Sequence, residues 1–102
     1  MNVGDYVYVY LFDLSKSILK MNKLRDDRFG RIIRIENRTI NNKPTDVYMI
    51  KLLSSDTLIE LKSNDENIHV MTIDELINVV NSSNCSEELK SNFLIQIQTN
   101  IN

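Results

Sequence analysis

The side chains that carry most enzyme chemistry are scarce in this chain. Histidine and cysteine occur once each, as His69 and Cys85. His69 falls in a short strand-like run in which period-two alternation sets it opposite in phase to Ile68 and Val70, and so outward. It has no companions at metal-ligand or acid–base spacing. Cys85 lies in a polar stretch without the His or basic surroundings that activate a thiolate. Having no partner in the chain, it excludes an internal disulfide and fits a reducing compartment. Acids come in pairs, Asp26-Asp27, Asp65-Glu66, Asp74-Glu75 and Glu87-Glu88, the last two where helix first turns favour negative charge. Residues 64–66 lack the glycine and spacing of a calcium loop, and Gly4 and Gly30 stand too far apart to cradle a phosphate. No catalytic residue, metal ligand or cofactor is expected, and the chain does not read as an enzyme.

Charge and aromatic surface remain. Between residues 15 and 43 there are nine basic residues, Lys16, Lys20, Lys23, Arg25, Arg28, Arg31, Arg34, Arg38 and Lys43, against three acids, Asp26, Asp27 and Glu36. The rest of the chain is acidic enough to bring the formal net charge to −2. Such a dipolar molecule steers its basic side toward a phosphate backbone or an acidic protein face. The alternative is that basic and acidic strands neighbour one another in ordinary surface pairs worth about 0–1 kcal/mol each. Tyr6, Tyr8, Tyr10 and Phe12 recur at every second position and form either a stacking surface or the underside of packed helices. The expected partner-binding residues are therefore Lys16, Lys20, Lys23, Arg25, Arg28, Arg31, Arg34 and Arg38, with Tyr8 and Tyr10.

The elements that must position them follow from periodicity. Residues 6–12 are a strand, with Val7, Val9 and Leu11 on one face and the aromatic row on the other. Residues 14–24, with Ile18, Leu19, Met21 and Leu24, are spaced like one side of a short helix in a long basic insertion at 15–27. A second strand spans 28–37, with Phe29, Ile33 and Ile35 on one face and Arg28, Arg34 and Arg38 on the other. A turn at 39–45 contains Asn41, Asn42 and Pro44, and strands follow at 47–53, 57–62 and 68–71. At Thr72 the period changes to helical. Thr72 with Glu75 is a capping box, and the helix buries Ile73, Leu76, Ile77 and Val80. Asn84 with Glu87 offers a second start, after which Leu89, Phe93, Ile97 and Ile101 form an apolar stripe.

At 102 residues this is one domain, residues 1–102, comprising a β-barrel at 1–71 and a helical extension at 72–102. The class is mainly β (α+β): a five-stranded antiparallel barrel with two C-terminal helices. The segment Val3-Gly4-Asp5-Tyr6-Val7-Tyr8-Val9, with Phe29-Gly30-Arg31-Ile32-Ile33-Arg34-Ile35 downstream, resembles the opening of SH3-like barrels of the KOW and Tudor type. The resemblance covers residues 2–36 and implies an SH3-like barrel and, at family level, RNA or ribosome binding.

There is no signal-peptide pattern and no apolar run of transmembrane length, so a cytoplasmic protein is expected. The chain has no alanine, two glycines and one proline amid abundant Asn, Ile and Lys, the pattern of an AT-rich genome. The expected function is a non-catalytic protein-binding module. By analogy it suits a phage or mobile-element inhibitor of a host enzyme or defence complex, of the anti-CRISPR sort. The alternative is an SH3-like nucleic-acid-binding domain acting in transcription or translation, against which the sequence pI of 5.3 argues. A third reading is a homodimer seam through Leu89, Phe93 and Ile97 of the last helix.

Overall fold

The computed structural model describes residues 1–11 and 24–101. The expected helix at 14–24 lies, apart from Leu24, outside the described residues, as do Phe12, Lys16, Lys20 and Lys23.

Among the described residues, five strands, β1 (Tyr6–Leu11), β2 (Phe29–Ile40), β3 (Lys43–Leu52), β4 (Leu58–Lys62) and β5 (Ile68–Thr72), precede two helices, α1 (Ile73–Asn81) and α2 (Glu87–Ile101). A 3-10 turn, Asp26–Arg28, leads into β2. The strands form one antiparallel sheet in the order β4-β3-β2-β1-β5. In a flat sheet its edges would stand about 19 Å apart, at ~4.8 Å per strand. Here Ile59 and Leu61 of β4 pack on the same buried cluster as Ile68 and Val70 of β5, so the sheet is curled.

The curl stops short of the expected closed barrel. No ladder joins β4 to β5, because the alternation of directions leaves both running the same way. Parallel neighbours need a crossover of about a dozen residues or more, and only residues 63–67 connect them. The two are also staggered, β4 lying beside residues 47–51 and β5 beside residues 7–11.

Both faces of β1 are buried. Val7 and Val9 point into the curl with Ile32 and Ile50. Tyr8 points the other way, onto Phe29 and a cluster completed by Leu24, Leu76, Val80, Phe93 and Ile97. The apolar stripe of α2 is thus spent inside the chain, with Leu89 and Ile101 packed against the same cluster. The dimer seam expected from Leu89, Phe93 and Ile97 is not presented at the surface.

Three local details depart from the sequence expectation. The β2–β3 turn is confined to Asn41 and Asn42, both at positive φ (51° and 64°), the backbone that a two-residue hairpin turn matched to strand twist requires. Pro44 belongs to β3, opposite Thr39 on a two-stranded tip that β4 does not reach, where a missing N–H is tolerated. A bulge at Ile32/Arg34 shifts the phase of β2. Ile32 and Ile35 therefore face inward, while Ile33 is turned out and is 46% exposed. The face expected to group Phe29, Ile33 and Ile35 does not exist.

The caps follow the same chemistry with one shift. Thr72 Oγ1 accepts from the Glu75 N–H at 3.2 Å, as the capping box predicts. For α2 the cap is Ser86 rather than Asn84, its Oγ accepting from the Leu89 N–H at 3.3 Å.

Candidate partner-binding surface

The arginines expected to form one contact surface are divided among three environments. Arg25, just before the 3-10 turn, is bidentate on Asp27: Nε donates to Oδ1 at 3.1 Å and Nη2 to Oδ2 at 2.8 Å. That hydrogen bonding holds the Asp27 carboxyl below the usual range. On the outer face of the sheet, Arg34 pairs with Glu36, and Arg38 with both Glu36 and Glu60. Strand alternation brings Arg34, Glu36 and Arg38 to one face, and the ladders carry Glu60 beside them across Met49. The hydrogen bond from Arg38 keeps the Glu36 carboxyl low. Ordinary surface pairs thus account for Arg34 and Arg38, within β2 at Glu36 and, for Arg38 alone, across to the neighbouring acidic residue of β4.

Arg28 and Arg31 make no ion pair among the described residues. The Arg31 guanidinium lies 5.4 Å from the centroid of the Tyr6 ring, and its Nε donates to the Gly4 carbonyl at 3.2 Å. Gly4 is at φ +96°, a conformation that L side chains rarely adopt, so the chain entry that supplies this carbonyl is built for glycine.

The tyrosine row is mostly structural. Tyr8 is buried edge-on against Phe29, ring centroids 4.8 Å apart, and its hydroxyl accepts from the Arg25 backbone N–H at 3.1 Å. Burial raises its phenol above the ordinary value. Tyr10 is half-buried and stacked on His69 at 5.6 Å, which also turns the expected outward histidine into part of a ring pair. Burial raises the Tyr10 phenol as well. The buried Tyr8 ring presents no open face of the kind that base stacking needs.

No family model, curated protein or solved structure matches this chain. The surface has to be read from its own geometry.

Two surface features stand out from that geometry. The first is a cross-strand row on the outer face, Tyr6, Arg31, Lys51 and Leu58, each opposite the next in register. Beside it sit bulged Ile33 and Leu53, and with Tyr6, Arg31, Lys51 and Asp56 they line a hollow of about 350 Å³. Ile33, Leu53 and Leu58 are 46%, 39% and 51% exposed, an unusual grouping of aliphatics around two cations. Lys51 lies 3.6 Å from Asp56 in an exposed pair of little energetic weight.

The second is a groove of about 640 Å³ along the free side of β4, walled by Val9, Leu52, Ile59, Leu61 and Ile68. Asp27, Arg28, Ser55 and Glu60 stand at its mouth. Sequence reasoning named Arg31 and Arg28 but missed the apolar residues around each. The adjacent pair Ile32-Ile33, which breaks period two inside a strand, was the one cue to the bulge.

Among the described residues, no group of three or more His, Cys, Asp or Glu side chains is placed to hold a metal ion. No helix among them is long and apolar enough to cross a membrane.

Proposed function

We propose that this chain is a non-catalytic protein-binding module whose contact surface is the outer-face patch of Tyr6, Arg31, Ile33, Lys51, Leu53 and Leu58. The observation that carries this reading is the bulge. It turns an isoleucine out of a strand, between a tyrosine-held arginine and a lysine, where nothing in the fold requires an apolar side chain. Bulges commonly re-aim side chains in this way, and Arg and Tyr are enriched at interface hot spots. The partner such a patch fits is a protein surface offering a carboxylate beside an aliphatic or aromatic anchor. The fold is read as an SH3-like barrel left open between β4 and β5, a reading supported by the curl and the strand order. Nucleic acid is the weaker reading, since Arg25, Arg34 and Arg38 are engaged with acids and Tyr8 is buried beneath the helices.

The test is crosslinked recovery of the tagged chain from the cells that make it, comparing wild type with Ile33→Asp and Arg31→Glu. Each should lower partner recovery at least about 30-fold, the equivalent of a ~2 kcal/mol hot spot, while leaving the thermal midpoint nearly unchanged. A protein partner set indifferent to both substitutions refutes the assignment. Salt-sensitive recovery of nucleic acid alone refutes the protein-binding reading altogether.

A further inference from the structure

The groove beside β4 has features that the outer patch lacks. One of its walls is a strand with an unpaired side. β4 pairs with β3 through all five of its residues and with nothing else among the described strands. Its far side therefore offers backbone N–H and C=O groups to any strand laid against it. Alternation within β4 turns Ile59 and Leu61 into the groove and Leu58, Glu60 and Lys62 to the outer face. The floor continues beyond β4 with Val9 and Ile68, so apolar side chains entering from a neighbouring strand would be covered on several sides.

The mouth carries a defined charge. Asp27 is held by Arg25 and Glu60 by Arg38, which leaves Arg28 as the one mouth cation without an ion pair among the described residues. We propose that this groove accepts an extended segment of a partner polypeptide as an added strand antiparallel to β4, with alternate apolar side chains in the groove and one carboxylate at Arg28. This rests on the protein-binding reading but uses a different site.

A second copy of the chain fits less well. An isologous pairing of β4 with β4, centred on the strand, sets Glu60 directly against Glu60. A small apolar acid would fill the volume, since about 640 Å³ is within the usual range of ligand pockets, but would leave the β4 edge without partners.

The probe is a synthetic hexapeptide of alternating valine and threonine with one glutamate, tested against its backbone N-methylated form and against decanoate. The expected result is slowed amide exchange within Leu58–Lys62, by at least about 10-fold at saturation, together with at least about 10-fold weaker binding after N-methylation. Arg28→Glu should weaken the glutamate peptide by a similar factor and favour the same peptide carrying lysine instead. Each of three results overturns the proposal: no binding at ~1 mM peptide, equal binding of the N-methylated form, or decanoate displacing the peptide without any amide protection. Concentration-dependent dimerisation that protects β4 without peptide would assign the edge to a second copy. Ile33→Asp should leave peptide binding unchanged, so failure here leaves the outer-face reading standing.

Discussion

Gln96 provides the sharpest test of how the described parts hold together. From α2 its side chain clamps the backbone at Leu24, Nε2 donating to the Leu24 carbonyl at 2.6 Å while Oε1 accepts from the Leu24 N–H at 3.2 Å. Leu24 is fully buried in the cluster beneath the helices and both bonds are part-buried, so water replaces them only in part. Gln96→Ala removes both partners and leaves a donor and an acceptor unsatisfied. At about 1–3 kcal/mol for each such group the two together could cost up to ~6 kcal/mol, and because both bonds are only part-buried the expected loss is about 2–4 kcal/mol, out of a total of about 5–15 kcal/mol for a domain of this size. The thermal midpoint should fall by roughly 10–30 °C. Gln96→Glu separates the two bonds, because a carboxylate keeps the acceptor but sets a second oxygen against the Leu24 carbonyl. Its folded pKa should rise, so this variant is destabilised at neutral pH and regains stability as the carboxyl protonates. Urea unfolding at pH 7 and pH 4 measures both. A Gln96→Ala protein within ~0.5 kcal/mol of wild type, the usual range for an inconsequential surface change, would refute the clamp.

Gly30→Ala should destabilise by about 1–3 kcal/mol, the usual cost of overpacking. Its Cβ would lie 2.6 Å from Ile50 Cγ2 and 3.0 Å from the Lys51 carbonyl oxygen, and chemical denaturation reads the loss. Acid should weaken the fold through Asp27, Glu36 and Asp65. The Asp65 carboxyl is lowered by the backbone N–H groups of Asn67 and Ile68 that it accepts, as Asp27 and Glu36 are lowered by their arginines. Carboxyls depressed on folding stabilise fully above their unfolded value near ~4 and lose that contribution as pH falls through the folded value. The urea midpoint should therefore be flat near neutrality and drop below about pH 4, with a shallower drop in Asp65→Asn.

What was legible in the sequence was mostly local. Strand alternation located all five strands, Thr72 with Glu75 marked the start of α1, and the stripe through Phe93 and Ile97 marked the buried face of α2. What was not legible depends on register and on contacts distant in sequence. One extra residue at Ile33 reverses the inside and outside of the rest of β2, at almost no cost in composition. The pairing of Arg38 with Glu60 follows from the stacking of three strands, and the Gln96 clamp joins residues 72 positions apart. For the same reason a set of arginines contiguous in sequence divides in space, with Arg31 and Arg28 beside separate apolar hollows.

The pairing of β1 with β5 bears on how the chain reaches this state. β2, β3 and β4 are a meander of short-range hairpins, whose closure is entropically inexpensive and fast. β1 must wait for Thr72 to find Val7 before its second ladder forms, and Tyr8 is covered only when Phe93 and Ile97 arrive from the far end of the chain. The meander is therefore the natural early nucleus. The joining of β1 to β5 and α2 closes the longest loops and should come last, so the cluster around Tyr8 should still be exposed when the hairpins are already formed.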